Sequence, residues 1–69
     1  MPNSVYKIVE LVGSSPVSWE KAAQNAITMA SKSLRDLRIA EVCQMDMHIN
    51  AGEIESYRVK LKVSFKYED

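Results

Sequence analysis

Several features that mark other classes of protein are missing from this chain of 69 residues. Its one cysteine excludes an internal disulfide framework, and no paired Cys or His ligands have the spacing of a structural zinc site. Only two glycines and two prolines interrupt the chain, which has no internal repeat or low-complexity stretch. Residues 1–69 are therefore predicted to form a single small domain.

Net charge and long apolar runs are also missing. Nine Lys and Arg residues balance nine Asp and Glu residues, so no overall field attracts nucleic acid or an anionic membrane. The apolar runs are too short for a membrane span. The N-terminal residues lack the apolar stretch of a signal peptide, so a cytoplasmic protein is expected.

What the chain does contain is an ordinary globular composition, 46% hydrophobic and 26% charged. A chain this short buries only about 60% of its unfolded surface. A domain of this size that has neither a disulfide nor a zinc site usually needs an exceptional core or subunit association. Association with further copies is expected.

Two regular elements are predicted in the first half of the chain. Residues 5–12 are rich in β-branched and aromatic residues and end at a Gly-Ser-Ser-Pro turn signal, which favours a strand. Residues 18–37 are predicted to form a helix with Ser18 as its N-cap. Lys32 and Arg35 would then lie in its last turn, where they suit the negative end of the helix dipole. The apolar stripe of this helix is mostly alanine and comprises Trp19, Ala22, Ala23, Ala26, Ile27, Ala30, Leu34 and Leu37.

The second half predicts two strands joined by a tight turn. Residues 38–50 are strand-like, and residues 50–53 form the turn, in which Gly52 can supply a positive φ. Residues 55–68 alternate apolar and polar residues, as a half-buried antiparallel strand does. The apolar set is Tyr57, Val59, Leu61, Val63, Phe65 and Tyr67, and the opposite face carries a basic row of Arg58, Lys60, Lys62 and Lys66.

This β-α-β-β order predicts an α+β fold. A right-handed crossover makes the first two strands parallel, and the tight turn makes the third antiparallel to the second. The simplest sheet has the last strand in the middle and the helix on its apolar face. One face and two edges of that sheet remain bare, and pairing with other subunits would cover them.

Catalytic chemistry finds no support in the sequence, and the protein is not expected to be an enzyme. There is no Gly-rich phosphate loop and no recognisable set of nucleophile, base and acid. Cys43 and His48 are the strongest soft-metal ligands, but their odd spacing in one strand places them on opposite faces unless a bulge intervenes. Cys43 is expected to be a small buried apolar residue and His48 a surface or interface residue.

The basic row of the last predicted strand supports two interpretations. Such a row can hold a phosphate or carboxylate group. It can equally be a solvated face that pairs weakly with Glu41, Glu55 or Asp46. The face has no interleaved aromatic residues, which argues against nucleic-acid binding.

Four segments carry a recognisable pattern: Val5-Tyr-Lys-Ile-Val-Glu-Leu-Val-Gly-Ser-Ser, Ser18-Trp-Glu-Lys-Ala-Ala, Leu37-Arg-Ile-Ala-Glu-Val and Tyr57-Arg-Val-Lys-Leu-Lys-Val-Ser-Phe-Lys. In order, spacing and total length they resemble the dodecin family across essentially the whole chain. The resemblance implies a protomer with one helix against a three-stranded antiparallel sheet, and twelve protomers in a hollow, roughly spherical homododecamer. It also implies a non-enzymatic protein that binds flavin, as riboflavin or FMN, in pairs at two-fold subunit contacts.

The resemblance further implies which positions form the flavin pocket. The stacking Trp of the family corresponds to Ile39, and the Gln that hydrogen-bonds the flavin edge corresponds to Arg58. A basic residue of the family corresponds to Lys66, which has the same positive charge. Ile39 has no π-face and Arg58 cannot accept a hydrogen bond, so flavin binding in the family manner is disfavoured. Ile39, Arg58 and Lys66 remain the predicted contacts of a small ligand.

Three features resemble the subgroup called calcium dodecins. They are an aliphatic residue in place of the Trp, Arg58 in place of the Gln, and the segment Gln44-Met45-Asp46-Met47. This resemblance implies calcium rather than flavin. Calcium takes several oxygen ligands at about 2.3–2.6 Å, so a site at Asp46 would draw on backbone carbonyls or other subunits. The alternatives are that Asp46 pairs with a basic residue such as Lys60, and that the shell is purely structural.

Overall fold

A computed structural model describes residues 4–67 of the chain. Four elements follow one another: β1 (Tyr6–Ser15), α1 (Trp19–Ala30), β2 (Leu37–Asn50) and β3 (Glu53–Lys66). The predicted β-α-β-β order is confirmed. The last predicted strand extends to Glu68, which lies outside the described residues.

The three strands form one sheet in the order β1-β3-β2, with both outer strands antiparallel to β3. β1 and β2 are therefore parallel to each other and separated by β3, as the crossover argument predicts. Val59, Leu61 and Val63 of β3 are buried beneath α1. The α+β class, the central last strand and the position of the helix are thus confirmed.

The start of α1 follows its sequence signals. Ser18 has an extended backbone, and its Oγ accepts a hydrogen bond from the Lys21 backbone N–H at 3.0 Å, which is N-cap geometry. Ala22, Ala26 and Ala30 are buried at intervals of about one turn. Their small side chains let the helix backbone lie close to the sheet.

The end of α1 differs from the prediction, because the helix stops at Ala30 rather than continuing to residue 37. Ser31 caps it, and the next two backbone N–H groups bond to carbonyls three residues back, in tight turns. Asp36 then adopts a left-handed backbone with φ 57°, which an α-helix does not accommodate. The two cations predicted for the last turn therefore lie outside the helix, and Leu37 begins β2 instead.

β1 continues three residues past its predicted end, through Gly13 to Ser15. Gly13 lies directly against α1: a Cβ built on it would overlap the Ala22 carbonyl oxygen and lie 3.0 Å from the Ala26 Cβ. This glycine, which the sequence suggested as part of a turn, is instead a point of close approach between strand and helix.

The turn between β2 and β3 consists of two residues with positive φ, Ala51 at 52° and Gly52 at 78°. Two consecutive positive φ values define a type I′ hairpin turn, whose twist matches that of the flanking strands. The predicted role of Gly52 is confirmed. Because the turn is this short, β3 begins at Glu53, two residues earlier than predicted.

The β2–β3 ladder contains three register shifts that the sequence pattern does not reveal. The shift nearest the turn leaves Glu55 as an extra residue in β3, and the next leaves Cys43 as an extra residue in β2. Between these two bulges the pairing is displaced by one residue. A third shift lies between Leu37 and Ile39. Cys43 is itself the extra residue of a bulge, so regular alternation with His48 does not fix the face to which its side chain points.

A thin core results from this architecture. The described protomer measures 54 × 21 × 15 Å, with a radius of gyration of 14.3 Å. A compact domain of the same length would have a radius of gyration of about 11 Å. The buried core consists of Ala22, Ala26, Val59, Leu61 and Val63, flanked by the partly buried Val9, Leu11, Trp19, Ala23, Ile27 and Leu37.

Replacing Gly13 by alanine is expected to lower the free energy of unfolding by about 3 kcal/mol, because the strand or the helix must move to relieve the overlap. Gly52→Ala is the comparison, since nothing lies within 4 Å of its added Cβ and its cost is the positive φ alone, about 1 kcal/mol. Urea unfolding followed by circular dichroism measures both. Equal stability of the two variants would contradict the close approach at Gly13.

Candidate functional site

The face of the sheet opposite α1, called the open face, carries the predicted basic row. Val59, Leu61 and Val63 are buried on the helix side, so the intervening side chains of β3 point to the open face. They are Arg58, Lys60, Lys62, Ser64 and Lys66. Glu10 of β1 and Glu41 of β2 are in register with Lys62 on its two sides, so acidic residues flank the row.

Asp46 and Arg58 form a bidentate ion pair on the open face. They lie opposite each other in the β2–β3 ladder, and Arg58 Nε donates to Asp46 Oδ1 at 2.7 Å while Nη2 donates to Oδ2 at 2.8 Å. Both carboxylate oxygens and one edge of the guanidinium are therefore engaged. Asp46 does pair with a basic residue, as one alternative predicted, but the partner is Arg58 rather than Lys60.

This pair shifts the pKa of both of its members. The hydrogen bonds from Arg58 lower the pKa of Asp46 more than desolvation raises it, and charge attraction lowers it further. The hydrogen bonds and the negative charge of Asp46 raise the pKa of Arg58 in return. Both groups are therefore charged at neutral pH. Each side chain is 51% exposed, so solvent screens their attraction and the pair adds little to stability.

Two aromatic residues lie behind the ion pair. Trp19, the first residue of α1, donates from Nε1 to the backbone carbonyl oxygen of Asp46 at 3.1 Å. Its ring meets Tyr57 edge-on, with centroids 4.9 Å apart and planes inclined at 70°. Tyr57 directly precedes Arg58, so the start of the helix holds the backbone beside both members of the pair.

The two soft-metal ligands singled out by the sequence belong to other interactions. His48 Nδ1 lies 2.9 Å from Glu55 Oε1, and both side chains are exposed, which confirms His48 as a surface residue of the protomer. Cys43 is exposed at its bulge, where its thiol donates to the Glu41 carbonyl oxygen over 3.7 Å. The expected burial of Cys43 is therefore wrong for the protomer, because a bulged residue is displaced from the regular ladder.

A metal site within one protomer receives no support from this arrangement. In the described range 4–67, no group of three or more His, Cys, Asp or Glu side chains is placed to hold a metal ion. Asp46 supplies one carboxylate, and both of its oxygens accept from Arg58. A single copy of the chain therefore does not fit the several oxygen ligands that calcium takes.

The three predicted ligand contacts do not form one pocket in the protomer. Ile39 is 68% exposed and lies opposite Ser64, close along the sheet to Lys66. Arg58 is six residues away from Ser64 in β3, which corresponds to about 20 Å along a strand. A small ligand that touched both Ile39 and Arg58 would have to receive one of them from another subunit.

An exposed apolar strip, called the β2 strip, runs along β2 and its turn. Its members are Val42, Met45, Met47, Ile49 and Ile54, each between 41% and 62% exposed. α1 packs mainly on β1 and β3, so this part of the sheet stays largely uncovered. Exposed apolar residues that form a continuous strip mark a contact surface for a partner.

A second apolar surface lies on the opposite side of the helix. An open groove of about 500 Å³ runs beside the contact between α1 and β1, and its lining includes Leu11, Val12, Met29 and Leu34. No ionisable side chain lines the groove, so a molecule bound there would be held by apolar contacts rather than by charge. The protomer thus has apolar surface on both flanks of its helix.

The geometry of the sheet and helix has matches among known proteins. The family model described as Dodecin matches residues 5–68. The chain belongs to the dodecin family. A family assignment of this extent fixes the fold, and it agrees with the β-α-β-β order and antiparallel sheet described above.

Three relatives illustrate the similarity. The calcium dodecin of Mycobacterium tuberculosis is 46% identical over 63 residues, which cover 91% of this chain and 89% of that protein. The dodecin of Thermus thermophilus is 42% identical over 65 residues, 94% of each chain. The solved dodecin of Streptomyces coelicolor superposes with a TM-score of 0.95 at 39% identity, over 100% of this chain and 99% of that one.

A solved structure of the Mycobacterium tuberculosis calcium dodecin also matches, with a TM-score of 0.83 and 47% identity over 94% of this chain and 93% of that one. That protein is described as calcium-chelating, with a novel calcium-binding site. In the described part of the present dodecin, no helix is long and apolar enough to cross a membrane.

Sequence reasoning listed Asp46 among the acidic residues that pair with the basic row, but it did not identify Arg58 as the partner within that row. In an unbulged hairpin closed by Ala51 and Gly52, Asp46 would lie opposite Tyr57 and point away from Arg58. The extra residue Glu55 shifts the register by one and brings the two charges together. No periodicity signal marks that bulge, so the choice of Arg58 within the basic row could not be predicted from the sequence alone.

Proposed function

We propose that this dodecin is a hollow homododecameric shell that binds or sequesters a small ligand at its subunit interfaces, without catalysis. The observation that carries the proposal is the incomplete burial of the protomer. Its radius of gyration of 14.3 Å exceeds the value of about 11 Å for a compact chain of its length. Copies packed on the β2 strip and on the bare sheet edges would remove that apolar surface from water.

The distance between Ile39 and Arg58 determines where one ligand can contact both residues. Because about 20 Å of strand lies between them in one protomer, an interface that brings together two copies is the place where both can meet one ligand. Ile39 supplies an apolar surface, and Arg58 and Lys66 supply positive charge. This combination suits a flat or apolar molecule that carries an anionic group.

Flavin is the family ligand, and the side chains of this chain are poorly suited to it. Ile39 removes the aromatic stack, and Arg58 donates hydrogen bonds but accepts none. Arg58 is also held by Asp46 at 2.7 and 2.8 Å, so an anionic group must displace a carboxylate to reach it. We therefore expect the wild-type protein to bind FMN weakly.

Ile39→Trp is expected to strengthen FMN binding about tenfold, because an aromatic stack is worth about 0.5–1.5 kcal/mol and a paired site gains two. Quenching of FMN fluorescence measures the affinity. The matched control is Ile8→Trp, since Ile8 lies on the other side of Ser64 in the same register. Equal quenching by the two variants would exclude Ile39 from the ligand site. Strong quenching by the wild-type protein would contradict the expectation that Ile39 and Arg58 make flavin binding weak.

Calcium is the second candidate ligand, favoured by the 46% identity to a calcium dodecin. Asp46 is the residue of this chain proposed to bind it, with the remaining oxygen ligands supplied by other subunits or by backbone carbonyls. The protomer alone offers no set of three ligating side chains within residues 4–67, so this site depends on the shell.

Asp46→Asn is expected to reduce calcium binding to the assembled protein, because it removes the charge while preserving the size of the side chain. Isothermal titration with calcium chloride provides the measurement. Asp36→Asn makes the same chemical change at the turn before β2, away from the pair, and should bind as the wild type does. Equal heats from all three proteins would exclude Asp46, and failure of both the FMN and the calcium titrations would leave a purely structural shell.

A further inference from the structure

We infer that the β2 strip of one copy packs into the groove beside the α1–β1 contact of a second copy, a surface called the helix groove. Each copy offers one strip and one groove, so two different surfaces meet head to tail. The inference rests on the proposed function, in which copies of the chain assemble, and it names the surface that covers the strip.

The strip lies on the helix side of the sheet, and a bulge makes it continuous. Val42 and Met45 are opposite the buried Leu61 and Val59, so they share the face on which α1 packs. Regular alternation would place these two strip residues on opposite faces, and the extra residue Cys43 brings them to the same one. The next two members of the strip follow at alternate positions of β2 and continue that face.

The helix groove has the same chemistry as the strip. No ionisable side chain lines it, and all five members of the strip are uncharged. Met29 in its lining is 66% exposed, so the wall of the groove is as poorly buried in the protomer as the strip is. Packing the strip into the groove would remove both apolar surfaces from water at once.

Charges at the ends of the two surfaces give the contact a direction. The turn end of the strip carries the exposed Glu53. At Leu34 the helix groove continues into a second depression, where the cations Lys7 and Arg35 outnumber the one carboxylate, Asp36. Laying the turn of one copy over that depression brings opposite charges together, so the turn is expected to lie near the end of α1 of the next copy.

A strip-to-strip contact is the alternative, and it fits the protomer less well. It would bury the strip and leave the helix groove open in every copy, whereas the head-to-tail contact covers both surfaces. Head-to-tail contacts close into rings when the rotation between copies permits, and such rings can join into the proposed shell.

Two variants of the full-length chain each place a charge in one surface and leave the other intact. Ile49→Glu charges the strip and Met29→Glu charges the groove, at side chains that are 62% and 66% exposed in the protomer. Each variant alone should lose the assembled species of the wild-type protein. An equimolar mixture should form complexes that contain both variants, because the intact strip of one can enter the intact groove of the other. Native mass spectrometry detects them, since the two variants differ in mass.

Gln24→Glu on α1 and Gln44→Glu on β2 are the matched controls. They add the same charge to the same elements outside the strip and the groove lining, and they should assemble as the wild-type protein does. If neither Ile49→Glu nor Met29→Glu folds alone, circular dichroism should show that mixing restores secondary structure.

Retention of the wild-type mass by Ile49→Glu or Met29→Glu alone would overturn the inference, and so would a mixture that forms no mixed complexes. The mass of the wild-type protein tests the proposed shell separately. An intact wild-type shell without mixed complexes contradicts only the contact between strip and groove. Mixed complexes together with a wild-type mass other than that of twelve chains contradict only the shell.

Discussion

The length of the helix limits what this fold can bury. α1 has 12 residues and is about 18 Å long, whereas β2 and β3 have 14 residues each and extend about 46 Å. One short helix therefore covers less than half of the sheet it lies on. The alanines that let it approach closely also contribute little apolar area of their own. The described residues therefore leave much of the sheet uncovered.

That constraint fits the scattering of the proposed ligand contacts over the described residues of one protomer. Ile39 and Arg58 lie far apart on the open face, and the residues of the β2 strip stay 41–62% exposed in the described protomer. Association would bury the strip and bring distant residues of two copies together. A small chain can in this way build a pocket that its own core is too thin to contain.

Much of the fold could be predicted from local signals, whereas the bulges and the helix end could not. Strand alternation in β3 and the Ser18 cap depend on neighbouring residues, and both are confirmed. The helix end depends on the left-handed Asp36, which the continuing apolar spacing conceals. The Asp46–Arg58 pair depends on a one-residue slip in the ladder, so the sequence suggested a cation partner for Asp46 without identifying it.

Light scattering of the wild-type protein at low micromolar concentration tests most directly whether the fold depends on self-association. We predict a single compact species with twelve times the 7.8 kDa mass of one chain, and no folded monomer upon dilution. A stable, folded species of 7.8 kDa under those conditions would contradict this account.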